Sequence, residues 1–466
     1  MTDAARTEGA TAIAGQLAEL VGAAQVLTGG AINEDYGHDE ALTASPVRPG
    51  VVVRPGSADE VGGILRLAGE HGVPVTARGA ATGMSGACIP RADGLLVSFE
   101  RMNAVLEIDA DNHVAVVQPG VTLSELDSRA AEVGLTYPVH PGELSASLGG
   151  NIGTNAGGMR AVRYGVTRQN VLGLQAALGT GEVIRTGGRI LKASSGYDLT
   201  QLIIGSEGTL ALVTEAVLKL HPRLSHGATV LAPFRDLDQV VRAVPGVVAS
   251  GLAPHILEYI DALTMGAITY TAQLSLGIPD QVRDTAQAYL VVSLENRDRE
   301  RLDEDVQRLG ELLAELGSID AYVLDGSAAH KLIEAREKAF WTAKAAGAHD
   351  IVDVVVPRTA MPEFLTTVRK LAEESGSGVV GCGHAGDGNV HLAVFQADPG
   401  IRGQLLHRMF ETGMDLGGAI SGEHGIGREK KQYFLDLEDP VKLDLMRRIK
   451  RAFDPAGILN PDVLLD

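Results

Sequence analysis

The stretch "SLGGNIGTNAGGMR", residues 147–160, holds five glycines among short polar residues. Such runs let successive backbone N–H groups point into one concavity, which can cradle a phosphate without a cluster of lysines. A second loop of the same kind, "ARGAATGMSGA", occupies residues 77–87. Either loop alone could serve only tight turns. As a pair, they suit a dinucleotide pyrophosphate.

Neither loop carries a standard nucleotide-binding fingerprint. The pattern G-x-G-x-x-G is absent from both loops, and G-x-x-x-x-G-K-[ST] occurs nowhere in the chain. The first pattern marks doubly wound dinucleotide folds and the second marks P-loop proteins. Both of these classes are therefore disfavoured.

Length, charge and cysteine content exclude further classes. A chain of 466 residues is too long for one compact core, so we expect at least two domains. Forty basic and 59 acidic residues give a net charge of −19, which disfavours nucleic acid as a partner. Cys88 and Cys382 alone cannot form a disulfide framework or a four-cysteine zinc site.

Targeting signals are not apparent in the sequence. No apolar stretch approaches the roughly 20 residues that span a bilayer, so we expect no transmembrane segment. The start "MTDAARTEGATAIAG" lacks the basic and apolar regions of a secretory signal. We expect a cytoplasmic protein, either free or peripheral to a membrane.

The order of patterns along the chain predicts four parts. Residues 12–30 look helical, and from residue 46 a strand, a helix capped near Ser57 or Asp59, a strand and a glycine loop follow. After about residue 225, strands alternate with amphipathic helices. The predicted parts are an N-terminal helical segment (1–45), an α+β domain (46–224), a second domain (225–415) and a C-terminal segment (416–466).

Two histidines flank a flexible turn in "GCGHAGDGNVH", residues 381–391. The glycines and the Asp-Gly step disfavour a helix and predict a hairpin that points His384 and His391 at one spot. Glu423 of "SGEHGIG" could complete three metal ligands with one position open for substrate. The alternatives are core or surface histidines and a carboxylate at a helix start. Cys382 is interpreted as a small buried residue of the strand rather than as a ligand.

Several motifs together resemble one family. They are "PVTARGAATGMSG", "VQPGV", "SLGGNIGTNAGGMRAVRYGVTRQNVLG", "GEVIRTGG", "GYDLTQLIIGSEGTLALVTEA", "GHAGDGNVH", "SGEHGIG" and "DPAGILNP". In this order they resemble the vanillyl-alcohol oxidase and p-cresol methylhydroxylase (PCMH) superfamily, in its branch of glycolate oxidase flavin subunits, D-lactate dehydrogenases and D-2-hydroxyglutarate dehydrogenases. The resemblance implies an α+β fold: a PCMH-type FAD-binding domain of two α+β halves, an α+β cap domain with an antiparallel sheet, and a C-terminal helical segment that returns to the flavin.

The resemblance also implies which residues hold FAD. The loop of residues 77–87 should bind the pyrophosphate. A second set of residues should line the rest of the flavin, and Val213 should lie near its isoalloxazine or ribityl part. The first set is Arg78, Gly79, Ala80, Ala81, Thr82, Gly83 and Ser85; the second is Pro141, Gly142, Ser147, Leu148, Gly150, Thr154, Asn155, Gly157 and Gly158. Many relatives have more glycine where this chain has Ala80 and Ala81. The loop of residues 77–87 has no histidine that could form a covalent link, so FAD is expected to bind non-covalently.

The family pattern assigns His384, His391 and Glu423 to a divalent ion, zinc or manganese. Oxidation of an alcohol also needs its hydroxyl proton to leave, which a metal ion makes easier. His424 is then the candidate general base, with a packing role as the alternative. Arg336 of "KLIEAREKAFW" matches the family position for the substrate carboxylate, although it could be a solvated arginine on an amphipathic helix.

Asn389 completes the predicted substrate-binding set of Arg336, His384 and His391. It has two candidate roles, to hold the turn or to reach the flavin. Ala393 and the strand "DIVDVVVPR" put apolar residues where D-2-hydroxyglutarate enzymes typically have an asparagine and a lysine. The predicted substrate is therefore D-lactate or a similar D-2-hydroxy acid first, glycolate second and D-2-hydroxyglutarate third.

Other partners and two rival functions remain open. The electron acceptor could be a quinone, a cytochrome, an electron-transfer flavoprotein or oxygen, and a homodimer is compatible with the sequence. One rival is a metal-dependent hydrolase whose glycine loops are only structural. The other is a flavin-bearing subunit that only passes electrons to partner subunits.

Overall fold

The computed structural model describes residues 9–465. Its strands are β1 (Val26–Thr28), β2 (Val51–Val53), β3 (Val75–Arg78), β4 (Leu95–Ser98), β5 (Val105–Asp109), β6 (Val114–Val117), β7 (Leu135–Thr136), β8 (Val171–Leu178), β9 (Val183–Gly187), β10 (Ala211–Lys219), β11 (His221–Pro222), β12 (His226–Phe234), β13 (Ile256–Asp261), β14 (Ala288–Asn296), β15 (Tyr322–Leu324), β16 (Asp350–Val355), β17 (Gly378–Gly383) and β18 (Asn389–Phe395). Its α-helices are Ala14–Val21, Ala58–His71, Leu123–Ala131, Leu148–Thr154, Ala161–Tyr164, Thr167–Asn170, Leu199–Ile203, Leu237–Ala249, Ala262–Thr271, Asp280–Arg283, Arg299–Glu315, Gly326–Glu337, Ala339–Ala345, Met361–Glu374, Pro399–Asp415, Lys431–Leu437 and Pro440–Phe453.

The first sheet has four strands in the order β1-β2-β4-β3. The predicted strand, helix, strand and glycine loop are confirmed, because β2 is followed by helix Ala58–His71, β3 and the loop. The helix begins where the Ser57 hydroxyl accepts the N–H of Glu60 at 3.2 Å, and it ends at Gly72 in the left-handed region. Its apolar face packs on the sheet.

The predicted N-terminal helix over residues 12–30 is too long. Helix Ala14–Val21 ends at Gly22, whose φ of 90° is incompatible with a continuing helix. The chain then turns and adds β1 antiparallel to β2. Residues Val26–Thr28, for which the local pattern indicated a helix, therefore form a strand that pairs with the edge of β2.

The second sheet is antiparallel, with the order β5-β6-β10-β8-β9. Helices Leu123–Ala131 and Leu148–Thr154 pack their apolar residues into the same core as its strands. The loop predicted over residues 147–160 is wrong in its first half, because Leu148–Thr154 form an α-helix that begins at Ser147 and ends at Asn155. The two predicted α+β halves therefore correspond to the four-stranded and five-stranded sheets.

The third sheet is antiparallel and has seven strands in the order β15-β12-β14-β13-β17-β18-β16. One core joins it to helices Leu237–Ala249, Arg299–Glu315, Met361–Glu374 and Pro399–Asp415. A separate core holds helices Ala262–Thr271 and Gly326–Glu337. The predicted antiparallel cap sheet is confirmed.

The predicted histidine hairpin is formed by β17 and β18. Cys382 faces His391 across the ladder, and His384 directly follows β17. Cys382 is buried, as expected for a small residue of the strand. The turn between the two strands therefore brings both imidazoles to one end of the hairpin.

The C-terminal segment returns to the first sheet. The carbonyl of Ile458 accepts the N–H of Val75 at 2.7 Å, and the carbonyl of Val75 accepts the N–H of Asn460 at 2.7 Å. The proposed domain boundaries after residues 45, 224 and 415 stay predictions. Between residues 9 and 465, none of the helices is long and apolar enough to cross a membrane.

Candidate active site

A cleft lies between the two glycine-rich stretches, residues 77–87 and 147–160. Most residues predicted to hold the cofactor line it: Arg78, Gly79, Ala80, Ala81, Thr82, Gly83, Ser85, Pro141, Gly142, Ser147, Gly150, Thr154 and Val213. The cleft also reaches Glu423 and His424 of the C-terminal segment. Residues from all three sheet regions thus meet around one space.

Four residues predicted to contact the cofactor do not line this cleft. Leu148 is fully buried in the core of the second sheet. Asn155 ends helix Leu148–Thr154, and its side-chain oxygen accepts the N–H of Arg168 at 3.0 Å. A Cβ on Gly157 would lie 2.7 Å from Glu423 Oε2, and one on Gly158 would lie 1.9 Å from a backbone oxygen. These two glycines allow close approach of the chain on the metal-ligand side of the site.

The cleft has polar groups suited to an elongated dinucleotide. Ser85 Oγ and Asn151 Nδ2 are buried in its wall, and no residue between 9 and 465 forms a hydrogen bond with either atom. A buried polar group of this kind is costly unless something binds it. A Cβ on Gly79 would lie 2.0 Å from Ser147 Oγ, so the two loops meet closely only because Gly79 has no side chain. The residues present fit FAD.

The three predicted metal ligands converge. Glu423 Oε1 lies 3.0 Å from His384 Nε2 and 3.1 Å from His391 Nε2. One ligand atom from each of the three residues lies within 4.8 Å of the others. Two imidazoles and one carboxylate are a donor set that zinc and manganese accept. These residues fit a divalent ion.

Glu258 supports this cluster and was missed by the sequence analysis. Its Oε1 lies 2.7 Å from His384 Nδ1, and its side chain is fully inaccessible. A carboxylate on the far nitrogen of a metal-binding histidine fixes the orientation of the ring. The signal available was a lone carboxylate within the apolar strand "HILEYI".

Asp353 holds the loop that carries Glu423 and was also missed. Its Oδ2 accepts the hydroxyl of Ser421 at 2.7 Å and three successive backbone N–H groups, 422–424, at 2.8–3.1 Å. This side chain is fully buried in β16. A charged residue within the apolar stretch "IVDVVVP" was the corresponding signal.

Charges at the cluster shift the ionisation of its members. Burial raises the pKa of Glu423, but His384 and His391 hold it well below its usual range. Burial lowers the pKa of His384, but Glu258 and Glu423 raise it well above its usual value. His384 thus holds positive charge between two carboxylates. A metal ion would take the place of that proton, since metal binding releases protons from its ligands.

His424 lies against the cluster. Its ring stacks on that of His391 with centroids 5.0 Å apart and an interplanar angle of 14°. Burial, together with the charges of Lys430 and His391, lowers its pKa to about 4 against the opposing effect of Asp353. The ring is therefore neutral at neutral pH and can accept a proton.

Arg336 is buried beside the cluster rather than solvated on a helix surface. Its Nη2 lies 2.7 Å from Glu258 Oε2, and Nε has no hydrogen-bond partner among the described residues. Asn389 contributes to neither cavity wall. Its amide donates to Asp353 Oδ1 at 2.8 Å and to the Val354 carbonyl at 3.1 Å. Asn389 thus links β18 to β16, and its role toward substrate stays a prediction.

A second cavity opens on the same cluster. Arg336, His384, His391, Glu423 and His424 line one end of it. It shares Glu423, His424 and neighbouring wall residues with the cofactor cleft. Glu423 and His424 are therefore the point at which the metal-ligand cluster and both cavities come together.

The fold and the two adjoining cavities define a flavin-dependent oxidoreductase. Comparison with protein families matches residues 49–187 to the FAD binding domain and residues 223–464 to the C-terminal domain of FAD linked oxidases. The chain belongs to the family of FAD-linked oxidases.

Relatives and a solved structure agree with this assignment. An uncharacterized FAD-linked oxidoreductase of Mycobacterium tuberculosis is 64% identical over 449 residues, which are 96% of this chain and 98% of the relative. A D-lactate dehydrogenase of Anaerostipes hadrus is 37% identical over 94% of each chain. The structure of p-cresol methylhydroxylase with substrate bound matches 98% of this chain and 97% of its own with a TM-score of 0.81 at 17% identity, which supports the fold.

Proposed function

We propose that this chain oxidises a D-2-hydroxy acid related to D-lactate to the corresponding 2-oxo acid, with non-covalent FAD and a divalent metal ion, zinc or manganese. The observation that carries the proposal is the junction of the two cavities at Glu423 and His424. A hydroxy acid there would meet a metal-ligand cluster on one side and the cofactor cleft on the other. The similarity to a D-lactate dehydrogenase supports the substrate class.

Arg336 is suited to bind the substrate carboxylate. It lines the second cavity, and its guanidinium has N–H groups that no described residue accepts. Glu258 Oε2 lies 2.7 Å from Arg336 Nη2 as an ion pair, which keeps the guanidinium at the cluster. The carboxylate would therefore bind next to the cluster, with the hydroxyl of C2 directed toward His384, His391 and Glu423.

The reaction removes a hydride from C2 and a proton from the hydroxyl group, so the substrate loses two electrons and two hydrogens. FAD, when bound, supplies the acceptor for the hydride, and the metal ion supplies positive charge that lowers the pKa of the hydroxyl. His424 takes the proton, because its imidazole stacks on the metal-ligand cluster and lines both cavities. Asp353 holds His424 in place through the backbone N–H of that residue.

Anaerobic reduction of the purified holoenzyme tests the proposal. D-lactate should bleach the visible flavin absorbance, and L-lactate should not. Removal of the metal with a chelator should abolish bleaching, and added zinc or manganese should restore it. Full activity in a metal-free preparation would contradict the metal role.

The same experiment separates the rival functions. Protein without recoverable FAD would favour a metal-dependent hydrolase. Flavin that stays oxidised with every D- and L-2-hydroxy acid would favour a subunit that only transfers electrons. Faster reduction by glycolate or D-2-hydroxyglutarate would reorder the substrate ranking.

The remaining proposals concern the electron acceptor, the cellular location and the oligomeric state. A quinone, a cytochrome, an electron-transfer flavoprotein or oxygen would have to reoxidise the flavin. A cytoplasmic location, free or peripheral to a membrane, and a homodimer stay proposals. The electron acceptor is tested directly by measuring how fast each class of acceptor reoxidises the reduced flavin.

A further inference from the structure

The second cavity is far larger than a three-carbon acid requires. Its space for the centres of water-sized molecules is about 170 Å³. One water needs roughly 10–15 Å³ on this measure, so the cavity has room for about a dozen. D-lactate would contact Arg336 and the metal ligands at one end. Most of the space would then lie beyond its methyl group.

Apolar side chains form the walls of that remaining space. They come from helices Ala262–Thr271 and Ala339–Ala345 and from β17 and β18 of the third sheet. The side chains that matter here are Ile268, Phe340, Ala343, Val380, Ala393 and Phe395. Water forms few hydrogen bonds in such a space. An alkyl group would bind there with a favourable free energy, because its apolar surface is removed from water.

The cavity offers no free cation for a second carboxylate. Among its described lining residues there is no lysine, and the arginine, Arg336, is paired with Glu258. His140 lies 2.9 Å from the carboxylate of Glu337. The other lining histidines, His384, His391 and His424, belong to the metal-ligand cluster and its base. A dicarboxylic substrate would leave its distal charge unpaired among apolar groups, which is costly.

The cavity also leads outward from the cluster. Leu263 lines it and is 72% exposed, and Ala346, also exposed, follows helix Ala339–Ala345. An alkyl group that extends from C2 could thus run along the apolar walls toward the surface. The cavity is not restricted to a group the size of methyl.

We propose that the physiological substrate class is D-2-hydroxy acids with an extended apolar side chain, which this cavity binds along its length. The inference rests on the proposed function, since the cavity meets the reacting centre only if a 2-hydroxy acid binds at the cluster. It differs from that function in predicting that D-lactate is a short and poor member of the substrate class.

A series of unbranched D-2-hydroxy acids of increasing length tests this inference with the holoenzyme and an artificial electron acceptor. From D-lactate to D-2-hydroxyhexanoate, kcat/KM should rise about fourfold per methylene, the equivalent of about 0.8 kcal/mol each, and so about 50-fold in total. Oxidation of D-lactate without a rise along the series would overturn the inference and leave the proposed function standing. Preference for D-2-hydroxyglutarate would also overturn it. Failure of every 2-hydroxy acid to reduce the flavin would overturn both.

A matched pair of variants on one helix locates the effect. Ala343 lines the cavity, whereas Ala345 is exposed and does not. Ala343→Phe should reduce the preference for hydroxyhexanoate over lactate to within about threefold, because the added ring fills the alkyl space. Ala345→Phe should leave the preference unchanged. An unchanged preference in Ala343→Phe would overturn the assignment of this cavity.

A second variant keeps the test decisive if Ala343→Phe does not fold. Ala393 lies two residues beyond His391 on β18 and lines the same cavity. Ala393→Leu should lower kcat/KM for hydroxyhexanoate at least about tenfold relative to D-lactate, because the larger side chain occupies alkyl space. The flavin spectrum and the metal content confirm that the compared proteins are intact. Equal effects on both substrates would count against an alkyl site.

Discussion

Glu423 is the residue on which the metal-ligand cluster depends most directly. One of its oxygens lies within 3.1 Å of both His384 Nε2 and His391 Nε2. The two imidazoles lower the pKa of this carboxyl although burial opposes the shift. The carboxylate is therefore ionised and available to a cation at neutral pH.

Glu423→Gln should remove metal binding without removing FAD. An amide carries no negative charge, so we expect at least about a 100-fold loss of metal affinity with a parallel loss of turnover. Elemental analysis and the visible flavin spectrum measure the two cofactors. Glu411→Gln, at an exposed position of helix Pro399–Asp415, is the control and should change neither. Normal metal content in Glu423→Gln would contradict the ligand role.

Arg336→Lys should separate charge from geometry at the proposed carboxylate site. A lysine keeps the positive charge near Glu258 but lacks the planar fork. Loss of one hydrogen bond between charged groups should raise KM about 10-fold to 100-fold, with metal and FAD retained. Steady-state kinetics with a D-2-hydroxy acid measure this change. A KM equal to that of the wild type would exclude the role.

At the scale of elements, two buried carboxylates position the C-terminal loop from different sheets. Asp353 of β16 accepts hydrogen bonds from the N–H groups of residues 422–424. Glu207, from the turn before β10, accepts the next N–H groups, those of Ile426 and Gly427, at 2.8 Å each. The loop that supplies Glu423 and His424 is thus held at both ends.

Asp353→Asn should loosen this loop. The amide nitrogen of the new side chain would face the N–H donors of the loop, and the charged groups around residue 353 would lose their counterion. We expect the unfolding free energy to fall by about 3–5 kcal/mol. Urea denaturation measures the loss, and hydrogen exchange at residues 421–425 locates it. Asp350→Asn on the same strand is the control, because Asp350 accepts the N–H of the adjacent Ile351 and pairs with Arg402 at 4.0 Å rather than with the loop. Equal exchange in both variants would argue against this role.

Glu207→Gln should change how stability depends on pH. Burial raises the pKa of Glu207 to about 7 from 4.5, although two N–H groups and Lys430 oppose the shift. The raised pKa contributes stability that is fully present below about pH 4.5 and is lost as the pH rises through about 7. The unfolding free energy of wild type relative to the variant should therefore fall by about 3 kcal/mol over this range. Thermal unfolding of the holoenzymes measures it, and a difference independent of pH would contradict the shift.

At the scale of the whole molecule, function depends on contacts between sheets that are far apart in sequence. The cofactor cleft lies where the loop after β3 meets the start of helix Leu148–Thr154. Ala80 donates its N–H to Ser147 Oγ at 3.2 Å across this junction. FAD in the cleft would contact both halves and stabilise their association by mass action.

Gly79→Ala should weaken FAD binding by disturbing this junction. Its Cβ would lie 2.0 Å from Ser147 Oγ, which forces the two loops apart. We expect at least about a tenfold rise in the Kd for FAD, measured by titration of the apoprotein. Gly310→Ala is the control, since nothing among the described residues lies within 4 Å of its Cβ and Gly310 does not line the cleft. Equal affinities in the two variants would contradict a tight junction.

Local sequence was sufficient for the fold class and for the principal site motifs. The glycine loop of residues 77–87, the period of the helices and the Asp-Gly turn between His384 and His391 depend on neighbouring residues, so short windows were enough to predict them. The stretch 147–160 was predicted as a loop but contains helix Leu148–Thr154. The structure brings His384, His391 and Glu423 together as the motifs indicated. The helix predicted beyond Val21 failed because pairing with a distant strand, β2, outweighed the local pattern.

The tertiary structure alone decided what surrounds those motifs. Glu258 reaches His384 across 126 positions of sequence, and Asp353 reaches the N–H of His424 across 71. No local pattern specifies such partners, because they follow from the order of strands in the third sheet. The size and apolar lining of the second cavity arise in the same way, from helices and strands that meet only after folding. The sequence by itself determined the chemical groups available, whereas the tertiary structure decided the distances between them and the space left for a substrate.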